Sequence, residues 1–455
     1  MQVSKRLIEK YNVPAPRYTS YPTVPYWNDA PFDIKEWEQS VNLSFKESNA
    51  ANGISIYIHL PYCESLCTYC GCNTRITKSH KVEEPYIQAV LKEWAIYRRV
   101  FESRPVIKEI HLGGGTPTFF KPENLELLIN GILANAIIHP DAEFSFEAHP
   151  GNTTEAHLVA LYNLGFRRLS LGIQDFDPKV QFIINRVQSF EQVKTVTDAA
   201  RQIGYTSVNF DLIYGLPLQT IESIVDTVEK VSALMPERIA FYSYAHVPWV
   251  KPGQRRYKDS DIPGTHLKQE LYNTGRNLLT ALGYKEIGMD HFTLPTDSLC
   301  KAEKEGTLHR NFMGYTHQHT QLLVGLGVSS ISDSWYGYAQ NAKTVEDYLA
   351  QFNSGVLPVV KFHKLTDEDL LLRRHILNMM CTGKTCWNHH MHNSTGLLQA
   401  VERLQPLADD GLVNLNSWCV EVTPLGKRFL RNICMAFDAR LWAKKPGTQL
   451  FSMAG

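Results

Sequence analysis

Cys63-Glu64-Ser65-Leu66-Cys67-Thr68-Tyr69-Cys70-Gly71-Cys72 packs four of the nine cysteines of the chain into one short loop. It follows directly on residues 54–60, a β-branched run that reads as a strand. Crowded thiols behind a strand, in a chain without export features, are more often metal ligands than disulfide partners. Cys63, Cys67 and Cys70 stand at C-x3-C-x2-C spacing, which suits three irons of a 4Fe-4S cluster and leaves the fourth iron open for chemistry. A structural zinc site would need four closed ligands in paired knuckles, and no second Cys/His pair of that kind stands elsewhere. Cys72 could instead close an electron-transfer cluster as a fourth ligand, although such a carrier scarcely needs 455 residues.

Outward from this loop a strand-then-helix rhythm runs through about six βα units. Strands are expected at 54–60, 106–112, 143–148, 168–173, 207–214 and 239–244, with amphipathic helices at 86–100, 125–134 and 156–164 among the connections. Ser189 with Gln192 fits a capping box, and Gly165 and Gly204 sit where helices need a left-handed residue. Polar and glycine residues fall late in the strands or just past them: Gly113-Gly114-Gly115, Glu147, Gln174, Asp211 and Tyr244-Ala245-His246. In a barrel of parallel strands that rim builds the ligand site; a doubly wound sheet would also bind ligand at strand C-termini. Before the first strand, residues 11–27 form a proline- and aromatic-rich arm around Arg17, expected to dock on the main domain. Residues 250–360 look irregular, with 289–292 and 309–315 reading as site loops. After Pro358, two helices at 366–380 and 397–407, a strand at 419–422 and a final helix from Leu425 suggest a small winged-helix-like domain. Its acidic residues Glu402, Asp409 and Asp410 argue against DNA binding.

Composition bounds the class. A hydrophobic fraction of 44% and a charged fraction of 20% are those of a globular protein. No apolar run approaches the roughly 18 residues needed to span a bilayer, and the first residues, from Met1, lack a secretory apolar stretch. A cytoplasmic, reducing location is expected. Lys plus Arg equals Asp plus Glu at 46 each, so no global field attracts nucleic acid. An anionic substrate must meet a local basic pocket. Cys300, Cys381, Cys386, Cys419 and Cys434 are scattered and are expected to be reduced structural thiols.

The cysteine spacing, with an aromatic residue before the third Cys, resembles the radical S-adenosylmethionine (SAM) enzymes. Residues 16–23 (PRYTSYPT), 63–73, 113–118 (GGGTPT), 172–176, 211–217 (DLIYGLP), 244–246, 288–292 (GMDHF), 309–315 and 431–438 (RNICMAFD) narrow the resemblance to the oxygen-independent coproporphyrinogen III oxidases, also called coproporphyrinogen dehydrogenases. The resemblance implies an α/β fold: a partial (β/α)6 barrel over 51–360, an N-terminal arm and helix over 1–50, and a mainly helical C-terminal domain over 361–455. It implies one 4Fe-4S cluster on Cys63, Cys67 and Cys70, with Cys72 beside the site and not on the cluster. An electron from the cluster cleaves SAM to a 5′-deoxyadenosyl radical, which takes hydrogen from a propionate β-carbon; loss of CO2 and one electron then leaves a vinyl group. Two propionates of coproporphyrinogen III react, giving protoporphyrinogen IX for haem synthesis.

Two SAM molecules are implied. The cluster-bound one would meet Tyr57, the backbone near Tyr69, Gly114, Glu147 and Ile331, and the second Gly115, Thr116, Gln174, Arg186, Asp211 and Ala245. Arg17 and Arg310 have the chemistry to meet substrate carboxylates. A low-potential donor such as flavodoxin or ferredoxin, and a monomeric chain, complete the expectation, with no nucleic acid or membrane partner. The chain departs from the family pattern at His149 and Gly151, where acidic and basic residues are expected. A haem-chaperone relative without decarboxylase activity shares the three cysteines and is the alternative; the 16–23 arm, Gly71-Cys72-Asn73 and 431–438 argue against it.

Overall fold

Ile54–Leu60 (β1) forms as its alternation demands: Ile54, Ile56, Ile58 and Leu60 are fully buried, while Tyr57 and His59 lie on the opposite face toward His111 and Gly114. The computed structural model describes residues 4–351, 355–388 and 394–454. Five more strands follow: Val106–Gly114 (β2), Ile137–Ala148 (β3), Phe166–Gln174 (β4), Ser207–Tyr214 (β5) and Arg238–Ser243 (β6). Each pairs in parallel with its predecessor, in chain order. That order is a barrel wall, since a doubly wound sheet reverses at a switch point.

The wall does not close on itself. The free edge of β1 takes Leu323–Leu326 (β7) in parallel, followed by three antiparallel strands at Ile331–Asp333, Gly337–Asn341 and Val359–Lys364. On the other side β6 takes His291–Thr293 and then Lys285–Ile287, both antiparallel. Residues 250–360 are therefore far more regular than expected. Their strands run for only three to six residues, too few for a period to show in the sequence, and His291 and Phe292 are buried sheet residues instead of loop.

Helices Glu83–Val100, Pro122–Leu133, Glu155–Asn163, Phe190–Ile203 and Ile221–Leu234 cover the outer face. Ser189 and Gln192 make the reciprocal capping box, and Gly204 ends that helix in the left-handed region at φ 113°. Side chains such as Phe146, Leu171 and Phe210 are fully buried in the main core. The opposite strand faces are polar, and near the N-terminal ends of the strands buried charges pair: Arg168 with Glu143, and Arg238 with Asp297 at 2.8 Å. Pairing offsets the cost of desolvating them.

A second core gathers Leu372, Ile376, Leu397, Leu404 and Phe437 from helices Asp367–Thr382 and Thr395–Asp409 and the C-terminal segment. It also takes Ile287, Leu308 and Tyr315. A small antiparallel sheet, Lys384–Cys386, Cys419–Val422 and Val413–Leu415, stands beside those helices. Here the thiol expectation fails: Cys386 and Cys419 lie directly opposite on neighbouring strands and form a disulfide, while Cys300, Cys381 and Cys434 are free. The N-terminal arm docks, with Tyr18, Tyr21 and Trp27 all buried.

Candidate active site

The C-terminal ends of the strands open into a cavity of about 730 Å3, within the range of small-molecule sites. Its wall begins with the cysteine loop. Backbone polar groups of that loop are tied down from three sides: the Thr68 amide donates to the Ile184 carbonyl (2.9 Å), Asn185 Nδ2 to the Leu66 carbonyl (2.8 Å), and Gln254 Nε2 to the Tyr69 carbonyl (3.2 Å). Lys251 Nζ donates to the Cys72 carbonyl at 3.2 Å. Gln254 also donates to the Ala245 carbonyl and accepts from the Val247 amide, joining the loop to the end of β6. Neither Lys251 nor Gln254 stood out in the sequence.

Cys63, Cys67, Cys70 and Cys72 all line this cavity. The first three are free and half-buried. Thr116 Oγ1 lies 3.3 Å from Cys63 Sγ, Arg186 Nη1 3.8 Å from Cys67 Sγ, and the Cys72 amide donates to Cys70 Sγ at 3.4 Å. Burial pushes the Cys63 thiol up to about 11, whereas hydrogen bonding to Cys72 takes Cys70 down to about 6 and raises Cys72 in turn. Among the described residues no three His, Cys, Asp or Glu side chains converge on one point. A 4Fe-4S cluster does not ask for convergence, because each thiolate binds its own iron. Three free thiols on one cavity wall, with donors aimed at their sulfurs, fit that group.

Across from them runs the Gly113-Gly114-Gly115 turn. Gly114 has φ 112°, and a Cβ there would stand 2.7 Å from the His59 ring. Gly115 approaches the Pro61 carbonyl so closely that a Cβ would meet it at 2.6 Å. Only glycine fits such positions. The Gly114 amide donates to Glu147 Oε2 (3.2 Å), and His111 Nε2 lies 3.6 Å from Glu147 Oε1. Burial acts against the charge on Glu147, but His111 and the Gly114 amide hold its carboxyl below the usual range. His59 is kept neutral mainly by burial; its Nε2 donates to the Asn73 carbonyl at 2.8 Å and its Nδ1 accepts from the Tyr57 hydroxyl at 3.1 Å. Both nitrogens are satisfied.

Arg186 and Asp211 sit on the side nearer β4 and β5. Arg186 Nη2 donates to the Gly172 carbonyl (2.7 Å), and its buried Nε has no partner among the described residues. Asp211 accepts from Ser170 Oγ and Asn209 Nδ2, each at 2.8 Å, yet burial raises its carboxyl to about 6. Gln174, at φ 68°, lines the same wall. The cavity thus gathers Tyr69, Gly114, Gly115, Thr116, Glu147, Gln174, Arg186, Asp211 and Ala245, together with Arg17 at its edge. His149 is also there, pulled down to about 3 by burial and Arg186 and so neutral; Gly151 does not line the wall. Tyr57 lies behind Gly113, stacked on His111. Ile331 packs beside Trp27 and Tyr338, off the cavity wall. Arg310 is buried beneath the arm, 4.4 Å over the Tyr315 ring, with Nη2 donating to the Arg17 carbonyl at 3.3 Å.

A family model described as the radical SAM superfamily matches residues 57–231. An oxygen-independent coproporphyrinogen III oxidase of Salmonella typhimurium is 38% identical over 451 residues, covering 98% of this chain and 97% of that protein. One of Synechocystis is 37% identical over 465 residues, covering 100% and 98%. Among solved structures, Escherichia coli coproporphyrinogen III oxidase (HemN), described as a radical SAM enzyme, superposes with a TM-score of 0.89 at 35% identity, over 96% of this chain and 99% of that one. With the cysteine loop, glycine turn and strand-end carboxylates on one cavity and relatives matching end to end, the chain belongs to the oxygen-independent coproporphyrinogen III oxidases of the radical SAM superfamily.

Proposed function

We propose that the cavity at the barrel mouth is where this chain oxidatively decarboxylates two propionates of coproporphyrinogen III to vinyl groups, yielding protoporphyrinogen IX. The observation that carries this is the gathering of three free thiols, the Gly114 amide, Glu147, Arg186 and Asp211 around one space. Cys63, Cys67 and Cys70 hold the 4Fe-4S cluster. Bound cluster and SAM supply one-electron cleavage of SAM and, through it, hydrogen abstraction from carbon. The residues of the chain position the parts. Glu147, kept ionised, accepts from the SAM ammonium, and the Gly114 backbone comes close because no side chain intervenes. Arg186, with a spare Nε, meets a SAM carboxylate, and Asp211 accepts from ribose hydroxyls. Tyr57 supports Glu147 from behind Gly113. Gly115, Thr116, Gln174 and Ala245 frame a second SAM molecule.

Cys72 stays off the cluster, and Arg17 faces the substrate. Ile331 and Arg310 act at one remove, through the packing under the arm. The electron donor is a flavodoxin or ferredoxin that docks at the cysteine loop, where Leu66 is exposed and Lys251 supplies a cation. The chain works as a cytoplasmic monomer. No helix among the described residues is long and apolar enough to cross a membrane. The full-length relatives described above are coproporphyrinogen III oxidases, which favours this reading over the haem-chaperone alternative.

Reconstituted protein supplied anaerobically with SAM, dithionite and coproporphyrinogen III is expected to form protoporphyrinogen IX. Cys63→Ala should lose iron and activity together. Haem binding by the wild type without product would favour the chaperone instead.

A further inference from the structure

Beside the large cavity lies a smaller one of about 90 Å3, between the barrel, the arm and the C-terminal segment. Arg17 and Ser243 line both, so the two spaces share a wall. Among the described residues the small cavity holds four cations, Arg17, Lys427, Arg428 and Arg431, against one carboxylate, Asp290. Asp290 is already engaged with His291 Nδ1 at 2.7 Å. Among the described residues none of the four cations has a carboxylate in ion-pair contact.

Their donors are unevenly used. Arg431 spends its guanidinium on carbonyls of Pro16, Ala15, Ser452 and Met453 and on Ser452 Oγ, which fixes a positive charge in the wall without neutralising it. Arg17 donates from Nη2 to the Ser243 carbonyl (2.9 Å) and stands 5.9 Å over the Tyr242 ring. Arg428 bonds Asn273 and lies 5.6 Å over the Tyr272 ring. Burial first and the Arg17 charge second pull the Arg431 guanidinium below its ordinary range, as is expected where positive charge lacks an answering anion. Tyr214, Phe241 and Tyr272 supply an apolar side for a methylene chain.

We propose that this cavity is a carboxylate subsite, in which Arg17 and Arg428 bind one propionate arm of coproporphyrinogen III while the macrocycle lies in the large cavity beyond Arg17. The proposal rests on the oxidase reading above and adds a place and a partner for one of the carboxylates that do not react. The volume admits a propionate and excludes a tetrapyrrole. A guanidinium pair gives the bidentate, charge-assisted contact that a carboxylate favours. Holding one arm there fixes the rotation of the ring in the large cavity, and so decides which propionate meets the abstracting centre.

The test uses reconstituted holoenzyme and two probes: coproporphyrin III, the oxidised tetracarboxylate followed by its fluorescence, and its tetramethyl ester. Arg428→Gln and Arg17→Gln are each expected to raise the Kd for the tetracarboxylate roughly tenfold or more, with SAM binding changed by less than about twofold. Arg428→Lys should recover part of the loss, and the ester should bind weakly and alike to all forms. Arg428 sits at the half-exposed end of the cavity, so Arg428→Gln decides the matter if Arg17→Gln loosens the arm and lowers the melting temperature. If the wild type makes protoporphyrinogen but Arg428→Gln binds the tetracarboxylate as tightly as the wild type, the subsite is wrong and the oxidase reading stands. If the wild type makes no protoporphyrinogen, the oxidase reading falls and takes the subsite with it.

Discussion

Asp211 shows how one residue joins folding to binding. Burial raises its carboxyl from 3.8 to about 6, against the Ser170 and Asn209 hydrogen bonds that favour the charge. An acid raised on folding contributes stability fully below its unfolded value, and that contribution is lost as pH rises through the folded value. Binding runs the other way, since a ribose hydroxyl needs the ionised carboxylate as acceptor. SAM affinity is therefore expected to fall as pH drops below about 6. Asp211→Asn should weaken binding roughly tenfold at neutral pH and flatten that dependence, as read by SAM titration at several pH values. A dependence unchanged in the variant would take Asp211 out of SAM binding. Residues of this kind were legible because a carboxylate breaks the apolar run of a strand, Asp211 within Ser207–Tyr214 and Glu147 next to the end of Ile137–Ala148. Gln254 was not legible: it pins the cysteine loop from a segment with no period, and only the three-dimensional path brings it near Tyr69.

At the scale of elements, legibility followed length. β1 and β5 matched their expected bounds because seven or eight residues of alternation define a strand. Lys384–Cys386 offers three residues and no such signal. The Cys386–Cys419 disulfide is hidden in the sequence for the same reason, since the two cysteines are 33 residues apart and meet only across that ladder. A cross-link over that separation restricts the unfolded chain. Cys419→Ser is expected to cost about 4 kcal/mol on the chain-entropy model, measured by denaturant unfolding of the oxidised protein. Reducing the wild type with dithiothreitol should give the same loss. If neither treatment changes stability, the small sheet holds together without the bond.

For the molecule as a whole, the arm is the clamp. Its residues reach the second core and a small separate cluster on the extended sheet: the Tyr18 hydroxyl donates to Asp438 Oδ2 at 3.1 Å, the Tyr338 hydroxyl donates to the Tyr21 carbonyl at 3.2 Å, and Trp27 stacks on Tyr338. The Ala15 amide donates to the Ser452 carbonyl (3.1 Å) and the Ala454 amide to the Val13 carbonyl (2.8 Å), so the arm also pairs with the end of the chain. We propose that 1–50, 51–360 and 361–455 behave as arm, catalytic unit and C-terminal unit. The strand Val359–Lys364 crosses the second boundary, so separation would occur just past Lys364. Tyr18 is 2% exposed in the second core, and losing its ring leaves a cavity and deprives buried Asp438 of a donor. Tyr18→Ala is expected to cost about 3 to 5 kcal/mol. The loss should fall on the C-terminal unit first, because among the described residues the buried members of the barrel core include no arm residue before Trp37, and only the partly buried Phe32 and Ile34 pack against it. Limited proteolysis checks this: the variant should be cut faster near residues 364–366 while a fragment carrying the barrel survives. If cleavage speeds up evenly along the chain, the arm supports the barrel as much as the C-terminal unit, and the two fold as one.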